Sequence, residues 1–207
     1  MDIIKKLAQE LAIKEEQAKA AVQLIDEGNT IPFIARYRKE MTGALNDETL
    51  RNLHERLLYL RNLEEKKEQV INAITDQGKM TEDLKKKILS AETLVAVDDL
   101  YRPYRPKKQT RATKAKEKGL EPLANILLLQ KTTKSMEEEA AAFVNAEKGV
   151  ANAKEAIAGA KDIIAEMIAD MADYRKSIRN CTMKQGSLVV KAKDEKAESV
   201  YEMYNDF

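Results

Sequence analysis

Tryptophan is absent, cysteine and histidine occur once each, and aromatic residues fill only 5% of the 207 positions. One cysteine excludes an internal disulfide and any cysteine-rich zinc site. The lone His54 lies among Arg51, Asn52, Glu55 and Arg56, with no nucleophile beside it. Seven scattered glycines and four prolines supply neither GxGxxG nor GxxxxGK(S/T), so no phosphate-cradling loop is legible. Few turn residues and few aromatics also argue against a sandwich or a barrel. No apolar run approaches the ~20 residues of a membrane span. The opening Met1-Asp2-Ile3-Ile4-Lys5-Lys6 turns polar too soon for a signal peptide. These absences lead us to expect a cytoplasmic, non-enzymatic protein with no cofactor, no metal and no membrane partner.

What is present is charge and helical periodicity. Charged residues make up 34% of the chain, 36 Lys+Arg against 35 Asp+Glu, for a net charge of +1. Apolar residues recur at helical spacing over residues 2–11 and 15–27, and Gly28 closes the second run. Thr30 and Pro32 open a third, short helix, and Asn46-Asp47 supply the next N-cap. Residues 48–77 read as one spine about 45 Å long, or as two helices kinked near Glu64–Lys67. Its stripe Leu50, Leu53, Leu57, Leu60, then Glu64 and Lys67, then Ile71 and Ile74 has a charged middle, which implies a lobe on each end. Thr81 and the Ser135-Met136-Glu137-Glu138 capping box start later helices. An alanine-rich helix is expected from Val150 to about Thr182, with Gly159 admitting a close neighbour. Ser187–Ala192 reads as a strand in need of a pairing edge. The expected fold is all-α: an elongated multi-helix assembly around a long central helix, with a candidate helix-turn-helix and one C-terminal strand. Its expected sub-lobes are approximately 1–78, 79–130 and 131–207.

The balanced total conceals a local imbalance. Between Arg102 and Lys118 eight bases face one acid, whereas residues 134–175 hold five bases and nine acids. Dense positive charge displaces counterions from a nucleic-acid backbone, the main sequence-independent source of such binding. Tyr101-Arg102-Pro103-Tyr104-Arg105-Pro106 is a doubled triplet, and in a polyproline II helix its tyrosines would form one row and its arginines another. Rings and guanidinium planes stack on unpaired bases while lysines follow phosphates. The opposite reading docks both tyrosines onto neighbouring helices. The candidate nucleic-acid residues are Tyr104, Arg105, Lys107, Lys108, Arg111, Lys114 and Lys116. A second segment, Gly28 to Gly43, is compatible with a helix-turn-helix presenting Arg36, Arg38 and Lys39. Phe33, Tyr37 and Met41 at i, i+4, i+8 read there as a core face. Asp98-Asp99 reads as capping or as pairing with adjacent arginines rather than as a Mg²⁺ site, and Cys181 as inert.

Three motifs carry a resemblance. Ile31-Pro32-Phe33-Ile34-Ala35-Arg36-Tyr37-Arg38-Lys39-Glu40 with Thr42-Gly43, Asp99 through Lys108, and Gly119-Leu120-Glu121-Pro122-Leu123-Ala124 together resemble the N-terminal region of the bacterial Tex family. Ala146-Glu147-Lys148-Gly149-Val150 is similar as well. The resemblance implies a transcription accessory protein whose helical N-terminal region precedes RNase H-like, helix-hairpin-helix and OB-fold domains. It further implies that this chain is the N-terminal piece, with those domains absent. Tyr101, Pro103, Tyr104, Pro106, Lys107 and Lys108 lie on the family's motif.

Two functions are then expected. One is a non-enzymatic module that contributes to RNA or DNA binding and transcription regulation through the basic Pro/Tyr loop. The other is a scaffold that positions the missing domains and meets transcription machinery through the acidic face of residues 135–174.

Overall fold

The computed structural model describes residues 2–192 and 200–204. All regular structure among them is helical, in twelve α-helices and two 3-10 turns. The chain divides into two compact units, Met1–Tyr104 and Arg105–Phe207.

The first unit is built on one helix. Its elements are α1 (Ile3–Glu10), α2 (Glu15–Asp26), α3 (Ile31–Tyr37), α4 (Lys39–Thr42), α5 (Asp47–Asp76), α6 (Glu82–Ser90) and α7 (Leu94–Tyr101). The spine α5 runs unbroken for 30 residues and starts where Asn46 accepts the Thr49 N–H at 2.7 Å. Asp47 and Glu48 place negative charge in its first turn, where the helix dipole favours it. Leu50, Leu53, Leu57, Leu60, Leu63, Val70 and Ile74 form a continuous buried seam on which α1, α2, α3, α6 and α7 pack. The charged middle of the stripe is therefore not a gap between lobes. Lys67 is only 2% exposed; its ammonium lies 2.8 Å from a Glu64 oxygen and donates to the Leu89 carbonyl at 2.9 Å. A cation so buried is tolerated only when it is paired and hydrogen-bonded. The whole seam belongs to one core.

Two carboxylates tie α1 and α2 to the spine. Arg56 grips Glu10 with two hydrogen bonds of 2.6 and 2.9 Å, and Arg61 grips Asp26 with two of 2.7 Å. Hydrogen bonding to Arg56 holds the Glu10 carboxyl below its ordinary value, and Arg61 does the same for Asp26.

The second unit packs α8 (Arg111–Glu117), α9 (Glu121–Leu129) and α10 (Met136–Ala141) against α11 (Ala153–Asp170). Its core is built from small residues, Ala112, Ala115, Ala124, Ala140, Ala156 and Ala160, between Leu120, Leu123, Val150 and Ile163. Gly159 permits the close approach expected of it: a Cβ there would lie 2.5 Å from a methyl of Leu120 and 3.3 Å from the Ala115 Cβ. The capping box forms as expected, Ser135 accepting the Glu138 N–H while Glu138 accepts that of Ser135.

Three expectations are corrected. The alanine-rich helix does not run through to Thr182. It breaks at Met171, whose ψ of 118° is extended, and α12 (Ala172–Gln185) follows. The break comes directly after Asp170, which is held by Lys107 from far along the chain. Residues 187–192 carry no assigned strand and no ladder partner among the described residues, where the sole bridge joins Asn145 and Val150. The doubled triplet is not polyproline II, because Arg102–Tyr104 form a 3-10 turn that continues α7.

Acid should loosen the first unit. Because the folded carboxyls of Glu10 and Asp26 titrate below their unfolded values, their contribution is complete above the unfolded pKa and is lost as pH falls through the folded one. Urea denaturation of Glu10→Gln should show a deficit of up to ~1 kcal/mol near neutrality, these groups being partly exposed. That deficit should shrink toward zero by about pH 3.

Candidate nucleic-acid interface

The basic segment enters the second unit as an irregular stretch, residues 105–110, followed by α8. Thr110 caps α8 by accepting the Thr113 N–H at 3.0 Å. Ala112 and Ala115 turn inward, so helical geometry places Arg111 and Lys114, three residues apart, together on the outer side.

Its cations separate into two groups. Lys107 is bound to Asp170, with Glu166 at 3.4 Å. Lys116 lies 3.6 Å from Glu121, and Lys118 donates to the Gly149 carbonyl at 2.7 Å. Arg105, Lys108, Arg111 and Lys114 are exposed and have no carboxylate partner among the described residues. These four cations fall within ten residues of chain, and we refer to them as the basic ridge.

Tyr104 and Tyr101 belong to the first unit. Tyr101 ends α7 and Tyr104 ends the 3-10 turn, and both are partly buried against that unit's core. The Tyr104 carbonyl also accepts a hydrogen bond from Gln77 at 3.0 Å. The tyrosines thus dock the turn and do not stand out as a stacking row.

The second candidate segment has an unexpected shape. Thr30 occupies the N-cap of α3 without a side-chain hydrogen bond, and α3 ends at Tyr37. At Arg38 the backbone leaves helical geometry (φ −128°, ψ 28°), and the four-residue α4 follows. Ile34 is fully buried, whereas Tyr37 is 55% and Met41 46% exposed. The expected core face of Phe33, Tyr37 and Met41 is therefore a surface. Phe33 and Tyr37 keep their i, i+4 register within α3, and the break at Arg38 takes only Met41 out of it. Neither Arg36 nor Arg38 has a carboxylate partner among the described residues. Arg38 sits over the Phe33 ring at 5.1 Å and Arg36 over the Tyr37 ring at 5.9 Å. Lys39 is exposed beside them.

Gln17 sets this elbow in place. It accepts the Lys14 N–H at the start of α2 and donates to the carbonyls of Thr42 and Gly43, at 3.1 and 3.0 Å. Gly43 adopts φ +60°, and a Cβ there would lie 2.7 Å from the Gln17 amide nitrogen. Thr42 is fully buried and donates to the Arg38 carbonyl.

Other sequence candidates have ordinary settings. Asp98 lies 3.7 Å from Lys66, and Cys181 is exposed. No cluster of three metal-ligating side chains occurs among the described residues. No helix of those residues is long and apolar enough to cross a membrane.

Comparison with known proteins bears on the same segments. A family model described as "Tex-like protein N-terminal domain" matches residues 1–75, and one described as "Tex central region-like" matches residues 131–207. The chain is 41% identical to the transcriptional accessory protein Tex of Neisseria gonorrhoeae over 99% of its own length. The chain belongs to the Tex family. It is also 45% identical to the Bordetella pertussis protein tex over 91% of its length, and 31% identical to the human S1 RNA-binding domain-containing protein 1 over 89%. It spans 27%, 24% and 18% of those three relatives.

Gly43→Ala tests how the elbow is held. The left-handed backbone costs about 1 to 2 kcal/mol for a residue with a Cβ, and the displaced Gln17 amide adds to it. Gly28→Ala, with φ +83° but no atom within 4 Å of the new Cβ, pays only the first cost. Urea denaturation should place Gly43→Ala below Gly28→Ala in stability.

Proposed function

We propose that this Tex-family chain is a non-enzymatic module of a transcription accessory protein, one that works in the cytoplasm and contributes to nucleic-acid binding through its second unit's basic ridge. The observation that carries this reading is the set of four exposed cations, Arg105, Lys108, Arg111 and Lys114, with no carboxylate partner among the described residues. Because no internal ion pair must break first, phosphates meet them at little cost, and released counterions drive the contact. Lys107 and Lys116 contribute less, since a phosphate has to compete with Asp170, Glu166 or Glu121. The names of two relatives, a transcriptional accessory protein and an S1 RNA-binding domain-containing protein, support the setting. The contact is with the backbone, so it carries little sequence preference.

A scaffold role is the second reading, and one helix favours it. No residue of α12 is buried, and Met171, Tyr174 and Ile178 leave an apolar stripe exposed. The acidic stretch supports it less. Glu138 and Glu155 cap helix N-termini, and Glu166 and Asp170 face Lys107.

Fluorescence-anisotropy titration of the chain with single-stranded RNA at several salt concentrations separates the two readings. With about 0.7 counterion released per phosphate on a single strand, four ridge contacts give a log–log salt slope near −2.8. The triple variant Lys108→Ala, Arg111→Ala, Lys114→Ala should lower that slope in magnitude by roughly 2. A slope unchanged by the triple variant would assign the binding elsewhere. Absence of salt-sensitive binding would leave the scaffold reading.

A further inference from the structure

We propose that the α3–α4 elbow of the first unit is a stacking site for unpaired bases of a single-stranded nucleic acid. The inference deepens the nucleic-acid reading above and rests on it, but through different residues in the other unit.

Three successive contacts link four side chains. Arg38 lies over Phe33 at 5.1 Å, Phe33 meets Tyr37 with ring centroids 5.3 Å apart and planes inclined at 46°, and Arg36 lies over Tyr37 at 5.9 Å. Both ends of this series are guanidinium groups, and neither has a carboxylate partner among the described residues. Arg38 donates only to the adjacent Tyr37 carbonyl, at 3.2 Å. More than half of Tyr37 is exposed, and Met41 lies open nearby in sequence. Tyr37 is thus a half-exposed ring that touches Phe33 and Arg36.

The chemistry of this series selects its ligand. A nucleobase is flat, polarisable and tethered to a negative charge. It stacks on an aromatic ring or on a guanidinium plane, while its phosphate is drawn to the same cation. Arg36, Arg38 and Lys39 against Glu40 give the elbow the matching sign. A duplex fits poorly. Its base faces are covered by their stacked neighbours, so the rings have nothing flat to meet. The elbow is also set before binding, because Gln17, the buried Thr42 and the left-handed Gly43 fix its backbone. Little conformational entropy is then lost on stacking.

The test compares a single-stranded oligonucleotide with an abasic strand of the same length, each titrated against the whole chain by fluorescence anisotropy. The wild type should bind the base-containing strand several-fold more tightly. Tyr37→Ala, and separately Arg36→Lys with Arg38→Lys, should bring that base-dependent ratio close to one. Circular dichroism should remain unchanged, since Tyr37 and Arg36 are exposed and the lysines keep the charge. The ridge variant Lys108→Ala, Arg111→Ala, Lys114→Ala should weaken both strands alike and preserve the ratio. If the elbow variants leave the ratio unaltered, or weaken the abasic strand equally, the stacking site is refuted whatever the ridge does. If only the elbow variants matter, the ridge reading fails and the stacking site stands. If neither strand binds and an acidic peptide does, the elbow faces a protein and the proposal is overturned.

Discussion

Whether a cation has a carboxylate within reach decides what it does in this chain. Arg56 with Glu10 and Arg61 with Asp26 hold α1 and α2 to the first unit's spine, and Lys67, paired with Glu64 on the spine itself, reaches the Leu89 carbonyl of α6. Lys107, between Glu166 and Asp170, is held inside the second unit. The exposed pairs among these add little to stability, yet every pair removes a positive charge from competition for an outside polyanion. Arg105, Lys108, Arg111, Lys114 and Arg36 escape that pairing among the described residues. A net charge of +1 describes none of this.

Periodicity made the first unit legible because its constraints are local. Asn46, Thr81 and Ser135 cap the helices expected of them, and the Leu50–Leu63 seam repeats every three or four residues. Where reading failed, a distant contact had overridden a local preference. Nothing between Lys161 and Thr182 breaks helices, so the interruption at Met171, one residue past the Lys107 contact at Asp170, leaves no trace in the pattern. Proline's fixed φ suits a 3-10 turn as well as polyproline II, and burial of Tyr101 and Tyr104 decides between them. Lys67 is invisible as a core residue because its partner carbonyl comes from Leu89, on another helix.

The candidate site was legible as charge and illegible as geometry. Counting bases over Arg102–Lys118 locates the segment, but the partners of Lys107, Lys116 and Lys118 appear only in three dimensions. The α3–α4 segment shows the reverse error. Its i, i+4, i+8 apolar spacing predicts burial, yet Tyr37 at the end of α3 is exposed, and so is Met41 beyond the non-helical Arg38. Each unit thus presents its own exposed cations, on a separately formed core.

Lysine-reactivity footprinting of the chain, with and without single-stranded RNA, addresses the pairing rule most directly. The account predicts that Lys108 and Lys114 lose reactivity when RNA is added, while Lys67 and Lys107, already engaged, do not change. Protection at Lys107 with none at Lys108 and Lys114 would contradict it.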